Sequence, residues 1–211
     1  MPKFRIGATI PVKTFSKAKT RLELSSEGKE EICKIMLERV LTTISQSDQI
    51  EKIALVTKDE KAFEVGKRFG VVEILDEKES GVNNAVLLAD RYFLAEDFDA
   101  TVVFPQDIPL IQPEDIRTIL DFCNSTRCAL VVPSRKFDGT NALFRMPVNL
   151  METHYDEDSY KIHLSTAETT CASYALVLIR RIMFDVDDSS DLQYILAELE
   201  PDISNKIQNL F

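Results

Sequence analysis

Residues 6–21, IGATIPVKTFSKAKTR, decide the fold class. The run Ile6-Gly7-Ala8-Thr9-Ile10-Pro11-Val12 is short, almost continuously apolar and closed by a proline, as expected of a strand buried on both faces. It empties into a loop carrying Lys13, Lys17, Lys19 and Arg21 with no acid among them. Beyond the loop, Ser25 or Ser26 can cap a helix whose apolar positions Ile32, Met36, Val40 and Ile44 fall on one face. The same alternation continues downstream. Ile53–Val56, Val71–Leu75, Thr101–Phe104, Ala129–Val132, Ala142–Phe144 and Tyr174–Leu178 read as strands. Residues near 59–68, Asn83 to Leu94 and a segment opened by Pro113 with Glu114 and Asp115 read as helices between them. Ile116, Ile119, Leu120 and Cys123 give that last segment its apolar face, and Leu192, Ile195, Leu196 and Leu199 do so near the end of the chain. Strand–helix alternation predicts a three-layer α/β/α domain over residues 1–211 with a mostly parallel mixed sheet. In such sheets ligands bind beyond the carboxyl ends of the strands.

Composition narrows the function. The 211 residues carry a net charge of −10, which disfavours nucleic acid as a partner. That charge is uneven: residues 1–22 hold Lys3, Arg5, Lys13, Lys17, Lys19 and Arg21 and none of the 35 acids. A basic island on an acidic chain suits a small anionic ligand. The longest aliphatic run, Ala175 to Ile179, is far short of a membrane span, and the amino terminus lacks the apolar stretch of a signal peptide, so a cytoplasmic location is expected. Cys33, Cys123, Cys128 and Cys171 offer no zinc spacing and are expected to be buried, reduced thiols.

Five segments can carry chemistry, each with a plainer alternative. The loop from Lys13 to Arg21 offers point charges and a guanidinium fork to a triphosphate, or is a solvated basic loop; it lacks the P-loop pattern. Asp107, in VVFPQDIPLI, ends a strand where magnesium could use a carboxylate, or is a turn or capping residue. In Asp185-Val186-Asp187-Asp188, an extended backbone points Asp185 and Asp187 the same way, whereas Asp188, Ser189 or Ser190 suits a helix cap. Thr140 and Asn141 after Gly139 can hydrogen-bond an oxyanion or sugar, or belong to a simple turn. Ser159 can sit at an anion-binding helix start or be a plain N-cap; His163 reads as a polar support. No Ser-His-Asp or Cys-His arrangement stands out, so nucleophilic hydrolysis is disfavoured.

Taken in order, IPVK…KAKTRL, GVNNA at Gly81 to Ala85, QDIPL around Asp107, GTNALF at Gly139 to Phe144, DSYKIH and DVDDSSDL resemble the 2-phospho-L-lactate guanylyltransferase family of deazaflavin (coenzyme F-420) biosynthesis. The resemblance runs from Ile6 to Leu192. It implies a nucleotide-diphospho-sugar-transferase-like (Rossmann-like) nucleotidyltransferase, akin to the molybdenum-cofactor guanylyltransferases. It implies joining GTP to a phosphorylated three-carbon acid, such as 2-phospho-L-lactate or phosphoenolpyruvate, with release of pyrophosphate. Carried over, Lys13, Lys19 and Arg21 would hold the triphosphate with Lys17 beside them, and Asn83 would lie near the nucleotide. Asp107 and Asp187 would ligate magnesium. Thr140, Asn141 and Ser159 would face the acceptor. A homodimer is compatible with the resemblance. Two departures stand out: Asp156-Glu157-Asp158 replaces glycines before Ser159, and DVDDSSDL has serine in place of proline. They leave as alternatives a molybdenum-cofactor or sugar-phosphate nucleotidyltransferase, or a nucleotide-binding module without catalysis.

Overall fold

Ile6–Pro11 forms β1, with Ile6, Ala8 and Ile10 packed into the larger of the core clusters. On the opposite face Gly7 is required by packing: a Cβ there would lie 2.2 Å from a ring carbon of Phe93. The computed structural model describes residues 4–156 and 158–210, so Lys3 and Glu157 of the sequence reading lie outside the described residues. After β1 come a short 3₁₀ turn (Phe15–Lys17), α1 (Ser26–Gln46), β2 (Lys52–Thr57), α2 (Glu60–Lys67) and β3 (Val72–Leu75). Then follow α3 (Val82–Ala95), β4 (Ala100–Val103), α4 (Pro113–Asp121), β5 (Cys128–Pro133) and β6 (Thr140–Met146). The chain ends with α5 (Ser159–Thr170), β7 (Ser173–Leu176), α6 (Arg180–Met183), α7 (Ser189–Glu198) and α8 (Pro201–Gln208). Ser25 caps α1, its hydroxyl accepting the Gly28 N–H at 3.0 Å.

The seven strands form one sheet in the order β3-β2-β1-β4-β6-β5-β7. β6 runs antiparallel to β4 and β5, and the other pairings are parallel. This arrangement follows from chain length: β5 and β6 are joined by only the residues 134–139, too few for the crossover that parallel strands need. α1, with Ile32, Met36, Leu37, Val40 and Leu41 fully buried, covers one face of the sheet. α3 covers the other through Ala85, Ala89 and Phe93, and α5 extends that layer over Ala129 through Ala167.

Three expectations need correction. Cys123 lies past the end of α4, which stops at Asp121. Of the four cysteines, all free, only Cys33 and Cys128 are buried. The helix α8 and the short α6 were not expected from the periodicity. Among the described residues, no helix is long and apolar enough to cross a membrane.

One charged group is locked in the core between α3 and β6. Arg145 is 1% exposed and forks onto both oxygens of Asp90 at 2.8 Å. Burial pushes the Asp90 carboxyl up, and the guanidinium only partly offsets it. Asp90→Ala leaves that guanidinium uncompensated and is expected to lower the unfolding free energy by about 3 kcal/mol, measured by urea denaturation. A change below about 1 kcal/mol would show that the pair does not secure this layer.

Candidate active site

The fold delivers residues from both sequence directions to one sheet edge. β1 and β4 end there, and β6, running the other way, begins there with Thr140 and Asn141. A cavity of about 850 Å³ opens at this edge, within the range of small-ligand sites. Lys13, Lys17, Asn83, Asp107, Thr140, Asn141, Ser159 and Asp187 all line it. Lys19 and Arg21 line an adjoining chamber that shares Asp138, Tyr155, Asp156 and Asp187 with it. Every residue singled out as a site candidate is therefore at this edge.

Its electrostatic centre is Lys19. The ammonium bonds Asp107 Oδ2 and lies 3.7 Å from Asp187 Oδ1, while the side chain is only 7% exposed. Burial lowers the Lys19 pKa, but the charge and hydrogen bond of Asp107 and the charge of Asp187 outweigh it, so the group is cationic. Its backbone takes a left-handed φ of 51°, uncommon for a residue with a Cβ and held by the surrounding turn. Asp107 and Asp187 are far apart in sequence but stitched together: the Val186 N–H donates to the Asp107 carbonyl at 3.0 Å. Val186 points into the core, and Asp185 and Asp187 on either side of it both line the cavity, as an extended segment requires.

Asp185 is a third carboxylate in this group. Burial first, and then the charge of Asp107, push it up to about 6, with Asp187 adding to the effect. The Asn141 amide works against that shift by donating to Asp185 Oδ1 at 3.0 Å, and the same nitrogen donates to the Ile182 carbonyl. Asn141 thus reaches the cavity through Asp185 as well as directly. The plainer readings are partly right: Asp188 caps α7, accepting from the N–H groups of Ser190 and Asp191. Asp107 does lie in a turn, as its plainer reading has it, and its carboxylate also holds Lys19.

A pair of carboxylates converging on one ammonium marks a place for positive charge. Magnesium takes one or two carboxylates together with phosphate oxygens and water, so the donor set of Asp107 and Asp187 fits it without a closed protein cage.

The basic loop divides into two kinds of residue. Lys13 and Arg21 are exposed and have no ion-pair partner among the described residues. Lys17 instead pairs with Glu79 at 3.0 Å, as does Lys58 at 3.1 Å. Burial pushes Glu79 up, but the Thr14 N–H and these two lysines hold it well below its usual range. Glu79 therefore fastens the loop to the segment after β3, which the sequence reading did not foresee.

At the far end of the cavity, Ser159 Oγ donates to Thr140 Oγ1 at 3.0 Å. Ser159 is not the N-cap of α5; that position is Asp158, with φ 56° and no side-chain cap bond. Asn83, on the first turn of α3, accepts the Tyr155 N–H at 2.8 Å and so ties the segment before α5 to α3. Asp156 and Asp158 are exposed at the rim, and Asp158 pairs with Lys161 at 2.9 Å. Gln106, next to Asp107, was not singled out; the residue lines the cavity, and its buried Oε1 has no hydrogen-bond partner among the described residues. Asp76 was missed as well. It is buried, and its Oδ1 accepts from both Asn84 and the Glu79 N–H.

Comparison with known proteins bears on family and fold. The family model described as "Guanylyl transferase CofC like" matches residues 6–205. The chain is 31% identical to a 2-phospho-L-lactate guanylyltransferase of Methanocaldococcus fervens, covering 87% of this chain and 81% of that protein. It is 29% identical to a phosphoenolpyruvate guanylyltransferase of Conexibacter woesei, covering 88% and 84%. Among solved structures, a protein of Desulfovibrio desulfuricans described as a nucleotide-diphospho-sugar transferase superposes with a TM-score of 0.71 at 15% identity, covering 92% of this chain and 87% of that one. That likeness bears out the expected nucleotide-diphospho-sugar-transferase-like fold. With the model spanning nearly the whole chain, the protein belongs to the CofC-like guanylyl transferase family.

Proposed function

We propose that this single domain, working in the cytoplasm, transfers the guanylyl group of GTP to a phosphorylated three-carbon acid. The observation that carries this reading is the convergence of basic, carboxylate and hydroxyl groups around one cavity. An acceptor phosphate oxygen attacks the α-phosphorus, the bond to the β-phosphate bridging oxygen breaks, and pyrophosphate leaves with the electron pair. The nucleophile needs no strong base, because a phosphomonoester with a second pKa of about 6 is largely ionised at neutral pH. Charge neutralisation is the main requirement, since two anions must meet.

In this reading Lys13 and Arg21, the cations of the loop without an ion-pair partner among the described residues, bind the triphosphate, with Lys17 at the edge of its subsite. Lys19 counters the charge that develops between the phosphates and the carboxylates of Asp107 and Asp187. Magnesium held by those two carboxylates supplies, when bound, neutralisation of the leaving pyrophosphate. Thr140 and Ser159 receive the acceptor's phosphate or carboxylate. The β2–β3 end receives the base: Val12, Val56 and Ala85 offer apolar surface there, Asn83 stands beside it, and Asp76 offers a carboxylate acceptor to guanine N–H groups.

The names of the relatives support two acceptors, 2-phospho-L-lactate and phosphoenolpyruvate. A matrix of GTP, ATP and CTP against these acids, a molybdopterin and a sugar phosphate, read by pyrophosphate release with magnesium, tests the proposal. Release with GTP and a phosphorylated three-carbon acid is expected. Release only with a pterin or sugar phosphate would replace the acceptor, and GTP binding without release under any condition would leave a non-catalytic module.

A further inference from the structure

We propose that His163 is a positioning residue that sets the proton order of the Thr140–Ser159 hydroxyl pair, so that the pair always presents an O–H donor to the acceptor's oxyanion. The proposal rests on reading this end of the cavity as the acceptor subsite.

His163 lies one helical turn beyond Ser159 on the same face of α5 and is fully buried. Its two ring nitrogens have different partners. Nε2 lies 2.9 Å from the backbone nitrogen of His154, which carries a hydrogen and can only donate. Nε2 must therefore be the unprotonated, accepting nitrogen. Nδ1 lies 3.0 Å from Thr140 Oγ1, and Thr140 Oγ1 lies 3.0 Å from Ser159 Oγ. A neutral ring that accepts at Nε2 carries its proton on Nδ1 and donates it to Thr140. A cationic ring would set N–H against N–H at His154. Burial, with Arg145 and then His154 nearby, pushes the ring down to about 4 and keeps it neutral. The Tyr155 ring packs edge-on at 5.0 Å and closes the remaining side.

The consequence is a matter of counting hydrogens. Nδ1–H, the Thr140 hydroxyl and the Ser159 hydroxyl supply three, and the contacts from His163 to Thr140 and from Ser159 to Thr140 consume two. With Ser159 donating to Thr140, the hydroxyl hydrogen left over is that of Thr140, which lines the cavity. In the opposite tautomer the Thr140 hydroxyl would donate to Nδ1 and Ser159 would donate to Thr140, leaving no hydrogen for a ligand. The backbone N–H of His154 thus decides, through His163, that the subsite greets an anion with a donor. A phosphate or carboxylate oxygen can only accept, so this choice favours the ionised acceptor.

The first test is ¹⁵N NMR of histidine-labelled protein at neutral pH. The proposal expects a neutral His163 protonated on Nδ1; a proton on Nε2, or a cationic ring, overturns it. This reading needs no turnover, so missing transfer activity would count against the functional proposal and not against the tautomer. The second test is kinetic. His163→Leu is expected to raise KM for the acceptor about tenfold while KM for GTP holds. His163→Asn, which keeps a donor near the Nδ1 position, is expected to recover most of that loss. In a Thr140→Val background His163→Leu should add nothing further. Equal damage to both KM values, no recovery by asparagine, or full additivity with Thr140→Val would reduce His163 to a packing residue and overturn the proposal.

Discussion

Asp107→Asn is expected to lower the rate of pyrophosphate release by about 10³-fold, about 4 kcal/mol of barrier, while GTP binding weakens by less than about tenfold. The asymmetry follows from what the carboxylate touches. Lys13 and Arg21, which carry most of the affinity for the triphosphate in the proposed mechanism, form no ion pair with Asp107, whose partner is Lys19. Asparagine preserves the shape, and the backbone bond from Val186 does not depend on the side chain. Two things are lost. The negative charge that orients Lys19 disappears, and one of two carboxylates suited to magnesium becomes a neutral amide. Single-turnover kinetics with saturating GTP and acceptor, alongside GTP binding by calorimetry, separate the two effects. A rate within about tenfold of wild type would remove Asp107 from the catalytic group.

How much of this was legible from sequence depends on the distance over which each feature is specified. The buried strand at Ile6–Pro11 and the helix over Ile32 to Ile44 are local patterns, and both appear where the periodicity puts them. Asp107 and Asp187 were legible as strand-end acids, and the order of the flanking segments paired them. The antiparallel course of β6 was not drawn, although the short 134–139 connection implies it, and that reversal is what brings Thr140 to the same edge as Asp107. Lys17 illustrates a limit: nothing near it in sequence announces Glu79, 62 positions away, as its partner. Asn141 was legible as polar and near a ligand, but not as the group that bonds Asp185. His163 looked like a support because it was isolated in sequence. The backbone N–H of His154, which has no sequence signature, turns that support into a director of proton position.

The second large effect belongs to Lys19. Lys19→Met keeps the length and apolar stem of the side chain and deletes only the charge, so kcat/KM for GTP is expected to fall about 10²-fold. The larger consequence is for stability, because Asp107, Asp185 and Asp187 would then keep only Lys136, 3.6 Å from Asp187 Oδ2, as a compensating cation among the described residues. Even with Lys19 in place, Asp185 is pushed up to about 6 by burial first and then by Asp107. Without it, the Asp185 carboxyl is expected to be pushed further above its unfolded value near 4. A carboxyl whose folded pKa is raised contributes stability that is full below its unfolded pKa and is lost as pH rises through the folded one. The variant should therefore match wild type most closely near pH 4 and fall behind above pH 6, by about 2 kcal/mol at neutral pH in metal-free buffer. Adding magnesium should reverse part of that deficit. In wild type the ammonium already stands between Asp107 and Asp187, so a divalent ion gains less there than in Lys19→Met. Ten times its dissociation constant of magnesium should raise the melting temperature of Lys19→Met by about 3 °C, more than that of wild type. The rise should vanish when Asp107→Asn is added. If Lys19→Met is equally stable from pH 4 to pH 8, or magnesium stabilises the double variant as well, then the three carboxylates do not form one electrostatic unit and the cation locus lies elsewhere.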